Sequence, residues 1–271
     1  MALRINLNVA ALNAQRQLQG TDNALGASIE RLSSGYKINR AADNPAGLAI
    51  SEGLRAQISG IGQAISNSSD AVNMIKTAEG ALSEVHSLLR TIRDLAVHAA
   101  QTGTNDQTAL DADQTQATEA LAALDRISTN TAFGTKKLLD GTASGLVFQV
   151  GANNGETMSV SIAGTSASTL GINSIDLVSD AAGAITLLDT SIGTVSTARA
   201  ELGSKMQSLQ SNINSLGVAK ENIAASESSI RDTDMAAEMV TFTRNQILLQ
   251  AGVAMLAQAN TAPQALLTLL R

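Results

Sequence analysis

The sequence is poor in the residues that build disulfides, ligand pockets and nucleic-acid surfaces. Its 271 residues include no cysteine, no tryptophan, one tyrosine and three phenylalanines. The lack of cysteine excludes a disulfide framework and a thiolate site, and so few aromatics leave little to line a small-molecule pocket. Charged residues make up 15% of the chain and the formal net charge is −6, so no basic face is available for nucleic acid. We therefore expect no cofactor and no nucleic-acid partner.

Membrane and targeting signals are also missing. The first twenty residues lack a basic region followed by an apolar block, so we expect no cleaved signal peptide. There is no run of eighteen apolar residues, so no membrane insertion is predicted. Residues 246–270 contain neither Lys nor Arg, whereas helices that lie in a membrane interface usually present a basic face. The residues thus disfavour a membrane-active or adhesin-like helical module, which is the alternative from a different functional class.

Catalytic and metal-binding motifs are not evident. The two histidines, His86 and His98, are twelve residues apart, which is more than three helical turns, so they cannot ligate one ion together. Neither belongs to a hydrolase motif. The glycines from Gly53 to Gly62 lack the strand and lysine of a phosphate-binding loop. We expect no metal site, no catalytic residues and no enzyme activity.

The sequence instead shows a seven-residue apolar repeat, which is clearest near the C-terminus. The stripe predicted on this helix consists of Met235, Met239, Phe242, Leu249, Val253 and Leu256. From residue 247 to 257 nearly every position is apolar or small, so this helix must be covered on more than one side. Leu267 and Leu270 continue the apolar character. A helix buried within its own domain is the simpler alternative.

A similar stripe occurs near the N-terminus, where Leu18, Leu25 and Leu32 are seven residues apart and Ile29 joins them. Gly35 is predicted to end this helix with a left-handed C-cap. Residues 36–47 are interpreted as an extended connector, and a further connector is predicted over 225–234.

Two long helices with apolar spacings of three and four are predicted between the connectors. The first carries a stripe of Ile75, Ala78, Leu82, Val85, Leu89, Ile92, Ala96 and Ala99. The second begins near Ala182 and continues to Ile223, and a shorter helix covers about residues 110–128. Apolar residues recur at every second position over Leu146–Val150 and again over Met158–Ile162, which predicts a β-hairpin turning at Asn154-Gly155. Residues 163–180 are predicted to form a surface loop.

These elements predict a mainly α fold: an elongated antiparallel helical bundle or coiled coil with a small β-hairpin region and with its terminal helices paired into a coiled coil. The expected domains are residues 1–47 with 225–271, and a rod-like helical domain of residues 48–224 with a β-hairpin tip at about 138–180. The terminal pair is too apolar to stand alone in water. We expect copies of the same chain to cover it through contacts that do not close, which produces a filament.

Long strings at both ends resemble bacterial flagellin, the subunit of the flagellar filament. They are residues 5–8 (INLN), 31–35 (RLSSG), 38–39 (IN), 46–50 (AGLAI), 77–81 (TAEGA), 93–97 (RDLAV), 246–252 (QILLQAG), 255–260 (MLAQAN) and 263–271 (PQALLTLLR). The resemblance covers about residues 1–140 and 182–271.

The resemblance implies a structural subunit that self-assembles helically into the flagellar filament for swimming motility. The terminal helices would form an inner tube and the long helices an outer tube, and the short segment 141–181 leaves no room for large outer domains. It also implies type III export without a cleaved signal peptide, an extracellular location, and junction, cap and export-chaperone proteins as partners. A hook–filament junction protein, which has similar helical termini, is the alternative.

The resemblance also points to a region that an innate immune receptor reads in many flagellins. The corresponding stretch here includes Thr91, Arg93, Asp94 and Leu95, with Gln116 on the following helix. Relative to the family pattern, Thr91 replaces an arginine, Asp94 replaces a glutamate, and Gln116 replaces a second glutamate. Because a bidentate cation and a carboxylate are hard to replace, we expect weak or absent receptor binding.

Overall fold

The computed structural model describes residues 8–101, 103 and 105–269, with side-chain surroundings described as far as residue 261. This part of the chain contains five helices and two short strand pairs. In chain order they are α1 (Val9–Ser34), α2 (Pro45–Ala99), α3 (Gln107–Asn130), β1 (Ala132–Phe133), β2 (Lys136–Lys137), β3 (Leu146–Gln149), β4 (Thr157–Val160), α4 (Ala181–Arg231) and α5 (Met235–Leu269). The predicted fold class, mainly helical with a small antiparallel β region, is confirmed.

Asparagine and aspartate side chains set the helix starts. Each of the five helices follows a residue whose side-chain oxygen accepts a hydrogen bond from a backbone N–H of the first turn; these residues are Asn8, Asn44, Asp106, Asp180 and Asp234. Such caps satisfy amides that have no partner within the helix. Gly35 ends α1 with a left-handed backbone (φ 77°), as the sequence predicted.

The chain divides into two compact units. One contains the terminal segments, up to Ala56 and from Asn222 onwards, and the other covers Gln57–Glu221. The boundaries fall inside α2 and α4, so these two helices each contribute to both units.

The core of the Gln57–Glu221 unit lies between α2, α3 and α4. All eight residues of the α2 stripe predicted from Ile75 to Ala99 are at most 3% exposed, which confirms that prediction. On α4, the buried residues include Leu188, Val195, Leu202 and Leu209, which are seven residues apart. The ion pairs Arg93–Asp189 and Arg199–Glu79 join the two long helices in antiparallel register.

The predicted hairpin is present as β3 and β4, with Leu146 opposite Val160 and Gln149 opposite Thr157. Its loop is longer than a two-residue turn, because the Val150 N–H donates to the Glu156 carbonyl (2.9 Å) and Gly155 adopts φ 87°. The β1–β2 pair was not predicted, since two-residue strands show no measurable alternation.

Three sequence predictions were wrong in detail. Residues 163–180 are not simply a surface loop, because Ile172, Ile175 and Leu177 are buried in the core. The Gln114 side chain holds this segment by donating to the Ile175 carbonyl (3.1 Å) and accepting from the Leu177 N–H (2.7 Å). Residues 225–231 belong to α4 rather than to a connector. Helix α2 begins at Pro45, within the segment 36–47 that was predicted to be a connector, because Asn44 caps it and a proline is well suited to the first helical position.

Candidate assembly surface

Helices α1 and α5 form an antiparallel pair within the terminal unit. At one end the Asn8 side chain, which caps α1, also donates to the Ala259 carbonyl of α5 (2.8 Å). At the other end Arg31 approaches Glu238 at 3.7 Å. One polar contact therefore lies near each end of the pair, and together they define its register.

The seven-residue repeats meet along the inner face of this pair. The half-buried apolar residues in register are Leu18, Leu25 and Leu32 on α1, and Phe242, Leu249 and Leu256 on α5. Gly252 lies between the last two, and a Cβ at this position would be 2.9 Å from Leu18 Cδ1. Burial is incomplete everywhere: Ser28 is the single buried residue among the described residues of α1, and α5 has none over residues 235–261.

The outer face of the pair carries large apolar side chains that face solvent. Four residues of the predicted stripes lie here rather than on the inner face, namely Ile29, Met235, Met239 and Val253, each about half exposed. Six further exposed apolar residues are Val9, Leu12, Val240, Ile247, Leu248 and Met255. Val9, Leu12 and Val240 could not be predicted from the sequence, because they fall outside the seven-residue repeat.

A shallow groove runs along the exposed side of α5. It is lined by Met239, Val240, Thr243, Arg244, Ile247 and Leu248. These positions are spaced by one, three and four residues, so they form a continuous surface on one side of a helix. Four of the six are apolar, and no side chain of the chain's described part covers them.

The side chain of Leu267 and the whole of Leu270 lie outside the described residues.

The ends of the terminal unit nearest the connectors are joined by backbone hydrogen bonds. The Lys37 N–H donates to the Arg231 carbonyl (2.6 Å), and the Thr233 N–H donates to the Gly35 carbonyl (2.9 Å).

Arg231 strengthens this junction between the connectors. Its guanidinium lies 4.7 Å from the centre of the Tyr36 ring and donates to Glu52 Oε1 (2.8 Å). The hydrogen bond from Arg231 lowers the pKa of the Glu52 carboxyl. Nearby, the backbone N–H groups of Arg40 and Asn39 donate to the Asp43 carboxylate and lower its pKa. The junction therefore depends on ionised carboxylates.

The residues corresponding to the receptor-facing region lie on α2 and α3. Thr91, Asp94 and Gln116 are exposed, whereas Leu95 is half-buried against the core. The Arg93 Nε donates to Asp189 Oδ1 at 2.6 Å, and this contact raises the pKa of the guanidinium. The one arginine that matches the family pattern in this stretch is thus engaged within the chain.

The histidines occupy separate environments. His98 Nδ1 lies 2.6 Å from Asp113 Oδ2 at the corner between α2 and α3, and the Nδ1 atom of the half-buried His86 has no hydrogen-bond partner in the described structure. Within the described residues, no group of three potential metal ligands comes together. No helix in that part of the chain has the length and apolarity needed to cross a bilayer.

Comparison with known proteins identifies the family. The family model for the bacterial flagellin N-terminal helical region matches residues 5–144, and the model for the C-terminal helical region matches residues 185–270. The chain is 43% identical over 304 residues to a flagellin of Bacillus subtilis (strain 168), covering 99% of this chain and 100% of the relative. It is 46% identical over 274 residues to a flagellin of Halalkalibacterium halodurans, covering 98% and 99%.

A solved structure gives the same result. The crystal structure of Bacillus cereus flagellin superposes with a TM-score of 0.51 at 30% identity, over 56% of this chain and 88% of that chain. The family that these matches define consists of structural subunits of the flagellar filament. The chain belongs to the bacterial flagellin family.

Proposed function

We propose that this chain is a structural subunit of the bacterial flagellar filament and that the outer face of the α1–α5 pair carries its subunit contacts. The observation that carries the proposal is the exposure of α5. This helix has apolar residues on every side, yet none of its residues from 235 to 261 is buried. A helix of that composition requires neighbours on more than one side, and α1 covers one side.

The energetics favour association. Fully burying a large aliphatic side chain or a methionine contributes roughly 1.5–3 kcal/mol, and a side chain that is about half exposed would gain about half of that on association. Ten such residues are exposed on α1 and α5, and clusters of exposed apolar side chains mark protein–protein interaction sites. Contacts between different faces of identical subunits generate a helical polymer when the rotation between neighbours does not close a ring, and this is the arrangement proposed here.

The residues proposed for self-assembly are Leu18, Leu25, Ile29, Leu32, Met235, Met239, Phe242, Leu249, Val253, Leu256, Leu267 and Leu270. The half-buried members are proposed to hold the pair together, and the exposed members to contact other copies. In the filament, residues 1–47 with 225–271 are assigned to the inner tube and residues 48–224 to the outer tube. The family resemblance and the exposed apolar face support this assignment.

A junction protein is the less favoured alternative, because the relatives that align over nearly the full chain are flagellins. Junction and cap proteins are proposed as partners at the filament ends, and an export chaperone as the partner of the apolar α5 segment before assembly. We further propose an extracellular filament location, reached by type III export without a cleaved signal peptide.

Receptor binding is proposed to be weak. The supporting observations are the loss of a cation at Thr91 and of a glutamate at Gln116, and the pairing of Arg93 with Asp189 within the chain. Asp94 keeps a carboxylate, but its shorter side chain places that group closer to the helix.

Self-assembly of the purified chain tests the proposed function. The full chain and a version ending after Met239 would be compared by light scattering and electron microscopy with ammonium sulfate added. Long tubes from the full chain and none from the shortened one are expected. Soluble particles from both would overturn the proposal and favour a junction protein or a compact bundle.

A further inference from the structure

The loop between β3 and β4 contains the one Asn-Gly dipeptide of the sequence, Asn154-Gly155. Both residues are exposed, and Gly155 has φ 87°. Among the described residues, neither the Asn154 side chain nor the Gly155 N–H has a hydrogen-bond partner. The neighbouring Asn153 differs, because its side chain donates to Glu156 Oε1 and its backbone N–H donates to Glu156 Oε2, both at 2.9 Å.

We propose that Asn154 is a site of spontaneous chemical modification, at which the side-chain amide is converted to a carboxylate. The Gly155 backbone nitrogen loses its proton to solvent and bonds to Asn154 Cγ, and the Cγ–Nδ2 bond breaks to release ammonia. Water then opens the resulting five-membered imide at one of its two carbonyls. Aspartate or isoaspartate remains at position 154, and no other reactant is needed.

Three observations favour this position over others. Glycine has no Cβ to obstruct the approach of its nitrogen to the preceding side chain. The exposed loop gives water and base access to both residues. The reacting groups are free of helix and strand hydrogen bonds, because both residues lie in the loop before β4, where the Gly155 carbonyl, and not its N–H, is bonded, to the Thr157 N–H (2.9 Å).

Asp140-Gly141 offers a comparison within the same chain, since an aspartate followed by glycine can form the same imide by losing water. The Asp140 Oδ1 atom accepts hydrogen bonds from the Thr142 N–H (2.9 Å) and hydroxyl (2.7 Å). These bonds lower the pKa of Asp140 and keep it ionised, and a carboxylate resists attack by a nucleophile. Asn154 is a neutral amide with no such contacts.

The modification changes the loop in two ways. It adds a negative charge close to Glu156, in a chain whose net charge is already −6. The isoaspartate form also adds an atom to the backbone between Val150 and Glu156, whose backbone hydrogen bond closes the loop. We therefore expect older copies of the protein to be more acidic and to have a less ordered hairpin loop.

The test is to age the purified full-length chain in mildly alkaline buffer and to follow it by isoelectric focusing and peptide mass spectrometry. Asn154→Gln is the test variant, because a glutamine forms the larger ring much more slowly, and Asn153→Gln is the matched control. We expect the wild type and Asn153→Gln to shift to lower isoelectric point with the new carboxylate at position 154, while Asn154→Gln shows a much smaller shift.

Two results would overturn the proposal. One is that other asparagines, or the Asp140 peptide, react while Asn154 remains intact. The other is that Asn154→Gln acquires negative charge as fast as the wild type. An enzyme that methylates isoaspartate would identify the isomerised product in the same samples.

Discussion

Gly252 of α5 lies directly opposite Leu18 of α1, so that a Cβ at position 252 would be 2.9 Å from Leu18 Cδ1. The absence of a side chain on α5 allows the leucine to approach the backbone of the opposite helix. This contact, together with Asn8–Ala259 and Arg31–Glu238, fixes the register of the pair. The register in turn determines which apolar residues remain on the outer face.

Bulky substitution at Gly252 should loosen the pair. We expect Gly252→Val to destabilise the α1–α5 pair by about 1–3 kcal/mol, because a branched side chain would overfill the contact with Leu18. Gly252→Ala should be close to neutral, since a leucine methyl can move and alanine favours a helix by up to about 1 kcal/mol. Hydrogen exchange of α1 and α5 peptides measures the effect.

Gly20→Ala is the matched control, because no atom lies within 4 Å of a Cβ at position 20. It should slow exchange in α1 through helix propensity alone. Equal exchange in Gly252→Val and the wild type would contradict the proposed register.

The β3–β4 hairpin should depend on two asparagines. Asn67 donates to the Gln149 carbonyl (3.2 Å) and Asn212 donates to the Val150 carbonyl (2.8 Å), so the hairpin is held by α2 and α4. We expect Asn212→Ala to cost about 0.5–1.5 kcal/mol through loss of one hydrogen bond. Exchange of the Val150 and Thr157 amides should become faster. Asn214 is an exposed position on the same helix, so Asn214→Ala should leave the exchange rates of both amides unchanged. A similar effect of Asn212→Ala and Asn214→Ala would show that Asn212 does not anchor the hairpin.

The turn before α2 should respond to acid. The Asp43 carboxylate accepts hydrogen bonds from the Asn39 and Arg40 N–H groups, which lower its pKa below the usual value of 3.8. Because the pKa is lower in the folded chain than in the unfolded one, the stabilising contribution is complete above the unfolded pKa. It is lost as the pH falls through the folded pKa. In an NMR titration, the amide signals of Asn39 and Arg40 should shift as the Asp43 carboxyl titrates, and Asp43→Asn should abolish this shift. A pKa above the usual value for Asp43 would contradict the assignment.

Restoring the family residues at positions 91, 94 and 116 should increase receptor signalling, if the present residues there are the cause of weak receptor binding. We expect the triple variant Thr91→Arg, Asp94→Glu, Gln116→Glu to activate a receptor-reporter cell line at lower concentration than the wild type, because it regains the cation and both glutamates. Thr77→Arg, an exposed position on the same helix, controls for added charge. Strong signalling by the wild-type monomer would contradict the proposal.

The sequence predicted the elements with a long apolar repeat accurately. The α2 stripe from Ile75 to Ala99 was correct at every position, since a regular stripe between facing helices leaves one arrangement that buries it. Segments without periodicity were predicted less well. The burial of Ile175 and Leu177 depends on Gln114, which is more than sixty residues away in sequence, and no local pattern reports such a contact.

The candidate site was predicted in composition but not in its division into two faces. Phe242 and Val253 both belong to the predicted stripe on α5, yet the first is half-buried and the second is 54% exposed. Because α5 is apolar on all sides, its sequence contains no contrast that would select the face toward α1. Gly252 and Leu18 provide that information once the helices are paired.

The most direct test of the account is the assembly of Val253→Glu beside Leu187→Glu. Both replace an exposed apolar residue with a charge, the first on the outer face of the terminal pair and the second on α4. Circular dichroism would establish that both variants are folded, and electron microscopy would follow filament formation. We predict that Leu187→Glu assembles and that Val253→Glu remains soluble, because an unpaired charge is costly to bury between subunits. Normal filaments from Val253→Glu would contradict the assignment of the outer face as the assembly surface.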